Sequence, residues 1–149
     1  AVSHTFHGRD IFAPVAAHLA AGTPIGEVGP AVAVESLVPL AFPAARVHGG
    51  GLDTSVLFID TFGNARIGGD PADLALLRGH LEPGDQFAVR IGADAVVMPW
   101  QVTFGEAAPG QLLLYEDADY AGLAIAANQG SAADLLGLET DTEIRIEPA

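Results

Sequence analysis

The chain contains no cysteine and no lysine; all six of its non-histidine basic residues are arginine. The first absence excludes disulfides, thiolate metal sites and cysteine nucleophiles. The second excludes Schiff-base catalysis through a lysine amine. Basic charge is scarce: the formal net charge is −13, and the arginines are scattered. A nucleic-acid surface needs clustered cations against phosphate, so DNA and RNA are not expected partners. The same reasoning argues against an anionic membrane surface. No apolar run approaches the length of a membrane span. The start of the chain lacks a basic segment followed by an apolar one, so no secretory signal is expected. These absences together suggest a cytoplasmic protein. Its 149 residues, half of them hydrophobic, suffice for one ordinary domain with a sizeable core, or one domain and part of another.

What is present divides into two regions. Residues 10–22 are expected to form a helix: Asp10 can cap it, Pro14 suits its first turn and Gly22 can stop it. Ile11, Val15, His18 and Leu19 recur on one face at helical spacing. The run Gly22-Thr23-Pro24-Ile25-Gly26-Glu27-Val28-Gly29-Pro30 has linker chemistry. Beyond it come short β-type runs at Ala44–Val47, Thr54–Asp60, Gln86–Ile91, Ala95–Trp100, Leu112–Tyr115, Leu123–Ala127 and Glu143–Glu147. Glycine, proline and aspartate punctuate them, as in a sandwich or barrel. Two short helices interrupt the series, one from Asp70-Pro71 to Arg78 and one over Ala132–Leu136 behind Ser131. The expected class is mainly β: a helical stub over residues 1–22, a linker over 23–35 and a β-barrel over 36–149.

Three polar runs are candidates for chemistry, and each has a plain structural alternative. In Thr5-Phe6-His7-Gly8-Arg9-Asp10, three ionisable groups crowd the start of a helix. They either cap and solvate that start, or His7 orients a small nucleophile. In Phe58-Ile59-Asp60-Thr61-Phe62-Gly63-Asn64, an apolar strand ends in Asp, an aromatic, Gly and Asn. This is either a turn, or a site in which Asp60 binds an ammonium, Phe62 offers a flat face and Asn64 pairs with a base edge. In Gly122-Leu123-Ala124-Ile125-Ala126-Ala127-Asn128-Gln129-Gly130-Ser131, a strand of small residues runs into a helix cap. It is either a tight turn or a surface a ligand approaches closely. Phe104 and Trp100 have core packing as their default role. No histidine has partners at metal-ligand spacing, so no metal is expected.

Taken in order, the three runs resemble the motifs of the S-adenosylmethionine hydroxide adenosyltransferase family (DUF62), relatives of the fluorinating and chlorinating enzymes. The resemblance covers essentially the whole chain. It implies the end of an N-terminal α/β domain followed by a complete C-terminal β-barrel domain. It also implies displacement at the ribose C5′ of S-adenosylmethionine by water, with methionine leaving and adenosine formed. Halide as nucleophile, or a non-catalytic nucleoside-binding or oligomerisation module, are the alternatives. By resemblance, His7 is one of three groups that hold the water, and the Asp and Arg that complete the set lie upstream of this sequence. Asp60 is implied for the methionine ammonium, Phe62, Asn64 and Phe104 for adenine, and the backbone at Gln129 for its edge. No cofactor is implied beyond the substrate, and the usual assembly is a homotrimer whose sites lie between subunits. The sequence departs from the family pattern in three places, one of them Ala124, which stands where Glu is common before Ile-Ala. Ala65-Arg66-Ile67-Gly68 follows Asn64 where x-x-Thr-Asn is usual. Ala118-Asp119-Tyr120-Ala121 stands where Asn-Ser-x-Gly is usual, at the methionine end of the site.

Overall fold

The protein was analysed as a computed structural model that describes residues 2–39, 44–119 and 121–149. These fall into two compact units, Ala1–Leu40 and Ala41–Ala149, each described here by itself.

In the first unit the chain starts its helix earlier than the sequence suggests. A π-helical turn over Gly8–Phe12 leads into α1 (Ala13–Ala20), and His7, not Asp10, occupies the N-cap position. Asp10 lies inside the turn. Its carboxylate accepts the Ser3 amide at 2.8 Å and pairs with Arg9 Nε at 2.6 Å. The residue was drawn away from capping because the wider turn closes from Ala13 N–H to Gly8 O, one residue further than an α-turn. The helix stop is as expected. Gly22, at φ +96°, ends α1 with paired bonds from Gly22 N to Leu19 O and from Thr23 N to His18 O. That is the left-handed stop that glycine permits without a Cβ clash. The following stretch holds two 3₁₀ turns, Ile25–Glu27 and Val34–Ser36. No helical residue of this unit is buried.

The second unit is the expected barrel-like sheet. Its strands are β1 (Arg46–His48), β2 (Gly51–Ile59), β3 (Ala65–Ile67), β4 (Gln86–Ile91), β5 (Asp94–Pro99), β6 (Leu112–Asp117), β7 (Gly122–Ala127) and β8 (Glu143–Pro148). Their order is β5-β4-β8-β2-β3-β7-β6, every ladder is antiparallel, and β1 pairs on the side with β2. A parallel bridge from Trp100 to Leu114 draws the two ends of the series together. The run expected at Ala44–Val47 forms its strand two residues later, and part of the segment before it, 40–43, lies outside the described residues. Strand β3 was not expected; with only three residues it carries no periodicity to read.

Alternation explains the core. Leu52 and Val56 on β2, Ala65 and Ile67 on β3, Phe87 and Val89 on β4, Leu123 and Ile125 on β7, and Ile144 and Ile146 on β8 all point inward and are buried. Two helices close over it. In α2 (Pro71–Arg78), Asp70 and Asp73 form a reciprocal capping box and Gly79 supplies the left-handed end. In α3 (Ala132–Leu136), Ser131 accepts the Asp134 amide and Gly137 ends the turn.

The outer face of β2, β8 and β4 carries a closed ion network. Arg145 donates through Nη1 to Asp53 at 2.6 Å and through Nε to Glu147 at 2.9 Å. Its Nη2 also donates to the carbonyls of His48 and Gly49. Arg90 donates to the second oxygen of Glu147, and His48 contacts the second oxygen of Asp53. A Cβ on Gly51 would lie 2.7 Å from Arg145 Nη2, so that glycine makes room for the guanidinium.

Candidate functional site

The opposite arc of the sheet, β3-β7-β6, is built differently. Here the outer face is also partly buried, by a small second cluster of Ala107, Leu113, Tyr115, Ala124 and Ala126. The small residues of β7 are needed because the 101–111 segment lies directly on them. Asn128 pins that segment by donating from Nδ2 to Ala107 O at 2.7 Å and from its amide to Gln111 O at 3.0 Å. Phe104 rides on the segment and meets the Tyr115 ring with centroids 4.9 Å apart, tilted by 52°. That geometry lies in the favourable range for aromatic pairs.

The Asp60–Asn64 turn stands at one end of this face. Asp60 Oδ1 accepts the amides of Phe62 at 2.8 Å and Asn64 at 2.9 Å, and Oδ2 accepts Asn64 Nδ2 at 2.8 Å. Burial pushes the Asp60 carboxyl up, but the bonds from Asn64 and Phe62, with the nearby charge of Arg66, outweigh it and hold the group below the usual range. The residue is therefore an anion and an organiser of the turn at once. A carboxylate has about four acceptor sites, so three internal bonds still leave room for an incoming donor. Phe62 projects from the turn and is 77% exposed.

The second and third motifs meet physically. Gly63 (φ +82°) packs against Ser131 so closely that a Cβ would fall 2.1 Å from Ser131 Oγ, and Gly63 O accepts the Ala133 amide at 3.0 Å. The turn is thus docked on the start of α3. Gln129, just before it, is held at φ +56°. Such a conformation is uncommon for a residue with a side chain and recurs at ligand-binding turns.

The structure therefore brings Asp60, Phe62, Asn64, Phe104 and Gln129 to one arc of one barrel. His7 belongs to the first unit, is exposed, and among the described residues makes no side-chain hydrogen bond. A cleft of about 620 Å³ opens elsewhere, over the face carrying Asp53, Arg90 and Arg145. Its arginines are already matched to carboxylates, and the exposed aromatics and the turns carrying Asn64 and Gln129 are on the other arc, so the candidate site is placed there. Among the described residues no group of His, Asp or Glu is arranged to hold a metal ion, and no helix is long and apolar enough to cross a membrane.

The comparisons with known proteins bear on this arrangement directly. Residues 54–145 match the C-terminal domain of SAM hydroxide adenosyltransferases, and residues 1–29 match their N-terminal domain. The chain belongs to the SAM hydroxide adenosyltransferase family. Relatives named (R)-S-adenosyl-L-methionine hydrolase are 43% identical in Salinispora tropica and 42% identical in Thermus thermophilus, over 97% and 95% of this chain. The chain spans about half the length of those relatives: 51% and 49%. Among solved structures, a conserved protein from Thermotoga maritima superposes with a TM-score of 0.77 at 34% identity, covering 99% of this chain and 54% of that one. One from Thermus thermophilus gives 0.59 at 36%, covering 94% and 52%.

Within this family's barrel, the residues that sequence reasoning missed are Tyr115, Arg66 and Asp117. Register places Arg66, Ala124 and Tyr115 side by side across β3, β7 and β6. Arg66 Nε donates to Asp117 at 2.7 Å, and its guanidinium lies 5.8 Å from the Phe58 ring centroid. Burial, then the charges of Asp117 and Asp60, push the Tyr115 hydroxyl up to about 12. The one available signal was Arg66 itself, a basic residue in a departure from the family pattern.

Proposed function

We propose that this chain forms the adenosine-binding barrel, and contributes one water-orienting residue, of an enzyme that hydrolyses S-adenosyl-L-methionine. Water attacks the ribose C5′ and the C5′–S bond breaks. The electron pair leaves with sulfur as methionine, and the water proton is released to give adenosine. The sulfonium is already a strong leaving group, so the protein has chiefly to align water behind C5′ and ease its proton loss. His7 takes that role, with adenine between Phe62 and Phe104. Asn64 and the backbone at Gln129 read the base edge, and Asp60 receives the ammonium.

The convergence of Asp60, Asn64 and Phe104 on one arc, in a member of this family, carries the reading. The names of the relatives specify the R configuration at sulfur, and we take that epimer as the preferred substrate here. Residues 1–22 are read as the end of an N-terminal α/β domain, 23–35 as linker and 36–149 as the barrel. We further read the protein as a cytoplasmic homotrimer with sites completed between subunits, to be checked by light scattering on the purified protein.

The deciding experiment incubates the full natural polypeptide containing this sequence with each sulfonium epimer, with and without chloride. Adenosine from the R epimer, unaffected by chloride, is the expected product. A 5′-chloro nucleoside would make the enzyme a halogenase. Adenosine binding without turnover would make it a nucleoside-binding module. Absence of both turnover and binding would refute the family-based reading. His7→Ala is expected to lower turnover far more than it weakens binding; equal losses would make His7 structural.

A further inference from the structure

The site described above is strongly acidic, and that raises a difficulty for its substrate. S-adenosylmethionine carries two positive groups, the sulfonium and the ammonium, and one negative group, the carboxylate. Asp60 and Asp117 suit the first two. They repel the third.

Basic residues are almost absent from this part of the chain. Residues 91–144 contain no Arg, Lys or His, and neither do residues 49–65. Strands β6 and β7, the 101–111 segment, the Asp60–Asn64 turn and the 128–131 turn all fall inside those stretches. Arg66 is therefore the one cation that this arc of the barrel supplies from its own strands and turns. It stands two residues after Asn64 on the same face, beside Ala124 and Tyr115, and its charge is felt at Asp60. Asp117 engages it through Nε at 2.7 Å, which fixes the plane of the guanidinium. An arginine side chain has five N–H donors in a rigid fork, a geometry able to serve Asp117 and a ligand carboxylate together.

We infer that Arg66, oriented by Asp117, is the residue that receives the amino-acid carboxylate of the substrate, taking over the task at the place where Ala118 and Asp119 depart from the family pattern. Asp60 and Arg66 then form an opposed pair that reads ammonium and carboxylate at once. A substrate lacking the carboxylate gains nothing from Arg66. The inference rests on the proposed hydrolase reading and names how that site recognises the methionine end.

The test compares two substrates in the full natural polypeptide: S-adenosylmethionine and its decarboxylated form, which keeps the sulfonium and the amine. Arg66→Gln is expected to raise KM for S-adenosylmethionine by about tenfold to a hundredfold, the usual scale for losing a charged hydrogen bond. KM for the decarboxylated compound is expected to stay within about threefold, with kcat for both little changed. Arg66→Lys is expected to recover part of the discrimination, because it keeps the charge without the fork. Two results would overturn the inference: equal loss on both substrates, which makes Arg66 a structural partner of Asp117, or unchanged discrimination. If the unaltered protein neither turns over nor binds either compound, the hydrolase reading fails, and this inference fails with it.

Discussion

The two arcs of the barrel handle charge in opposite ways. On β2, β8 and β4, Arg145 and Arg90 are matched against Asp53 and Glu147 in a closed network, with glycines cleared around the guanidinium. On β3, β7 and β6, a single arginine faces a surplus of carboxylates and a wall of aromatics. The first arrangement satisfies itself. The second is unbalanced in a direction that suits a cationic ligand, and it keeps large rings, Phe62 above all, in solvent. Self-satisfied polar surface is what a scaffold needs. Unmatched charge beside exposed aromatics costs stability in the empty protein and is retained where something binds.

The contrast can be attacked from the largest expected effect downward. Gly63→Ala places a Cβ 2.1 Å from Ser131 Oγ and 3.0 Å from its Cα, at a left-handed φ. The hydroxyl could rotate away, but Ser131 Cβ at 2.6 Å and Cα at 3.0 Å are fixed to the main chain, so unfolding should become easier by about 2–4 kcal/mol in a denaturant titration. A loss under about 0.5 kcal/mol would mean that the turn is not docked on α3.

Tyr115 supplies the next test. Its hydroxyl is pushed from 10.0 to about 12 in the folded protein. The native state therefore holds that proton more tightly than the unfolded chain. This stabilisation is complete below about pH 10 and is lost as pH rises toward 12, by about 1–2 kcal/mol. Tyr115→Phe should flatten that part of the stability–pH curve, and a curve unchanged by the substitution would deny Tyr115 its buried setting.

Gly51→Ala meets only the guanidinium of Arg145, the far end of a flexible side chain. It should cost about 1 kcal/mol, less than Gly63→Ala. Part of that cost should vanish at high salt, where exposed ion pairs are screened. A cost equal to that of Gly63→Ala would erase the distinction between the arcs. The smallest effect on stability belongs to Phe62→Ala. With the ring 77% exposed, stability should change by no more than about 0.5 kcal/mol, while calorimetry should show weaker adenosine binding. Unchanged binding would remove Phe62 from the site.

Much of the barrel was readable because its signals are local. Strands such as Gln86–Ile91 and Glu143–Pro148 alternate cleanly, and both barrel helices announce themselves through Asp70 and Ser131 before them and Gly79 and Gly137 after. What escaped has a common cause. Strand β3 is too short for a pattern. The π-turn at Gly8 differs from an α-turn by one hydrogen-bonding step. The Arg66–Asp117 pair joins residues 51 positions apart and exists only because β7 lies between β3 and β6. The roles of Asp60 were only half legible: its anionic character follows from residue type, whereas its three bonds inside the turn depend on Phe62 and Asn64 folding back upon it.

The parallel bridge from Trp100 to Leu114 has a kinetic consequence. Among the described residues the other strand junctions are antiparallel ladders, while this seam holds through that bridge, with Gln101 N donating to Leu114 O at 2.9 Å. The segment bearing Phe104 leaves the sheet at this point. Amide protons around 100–104 should therefore exchange with solvent before those of β2 or β7. Under the proposed reading, a nucleoside stacked on Phe104 should slow that exchange, which would tie escape of the ligand to breathing of the seam.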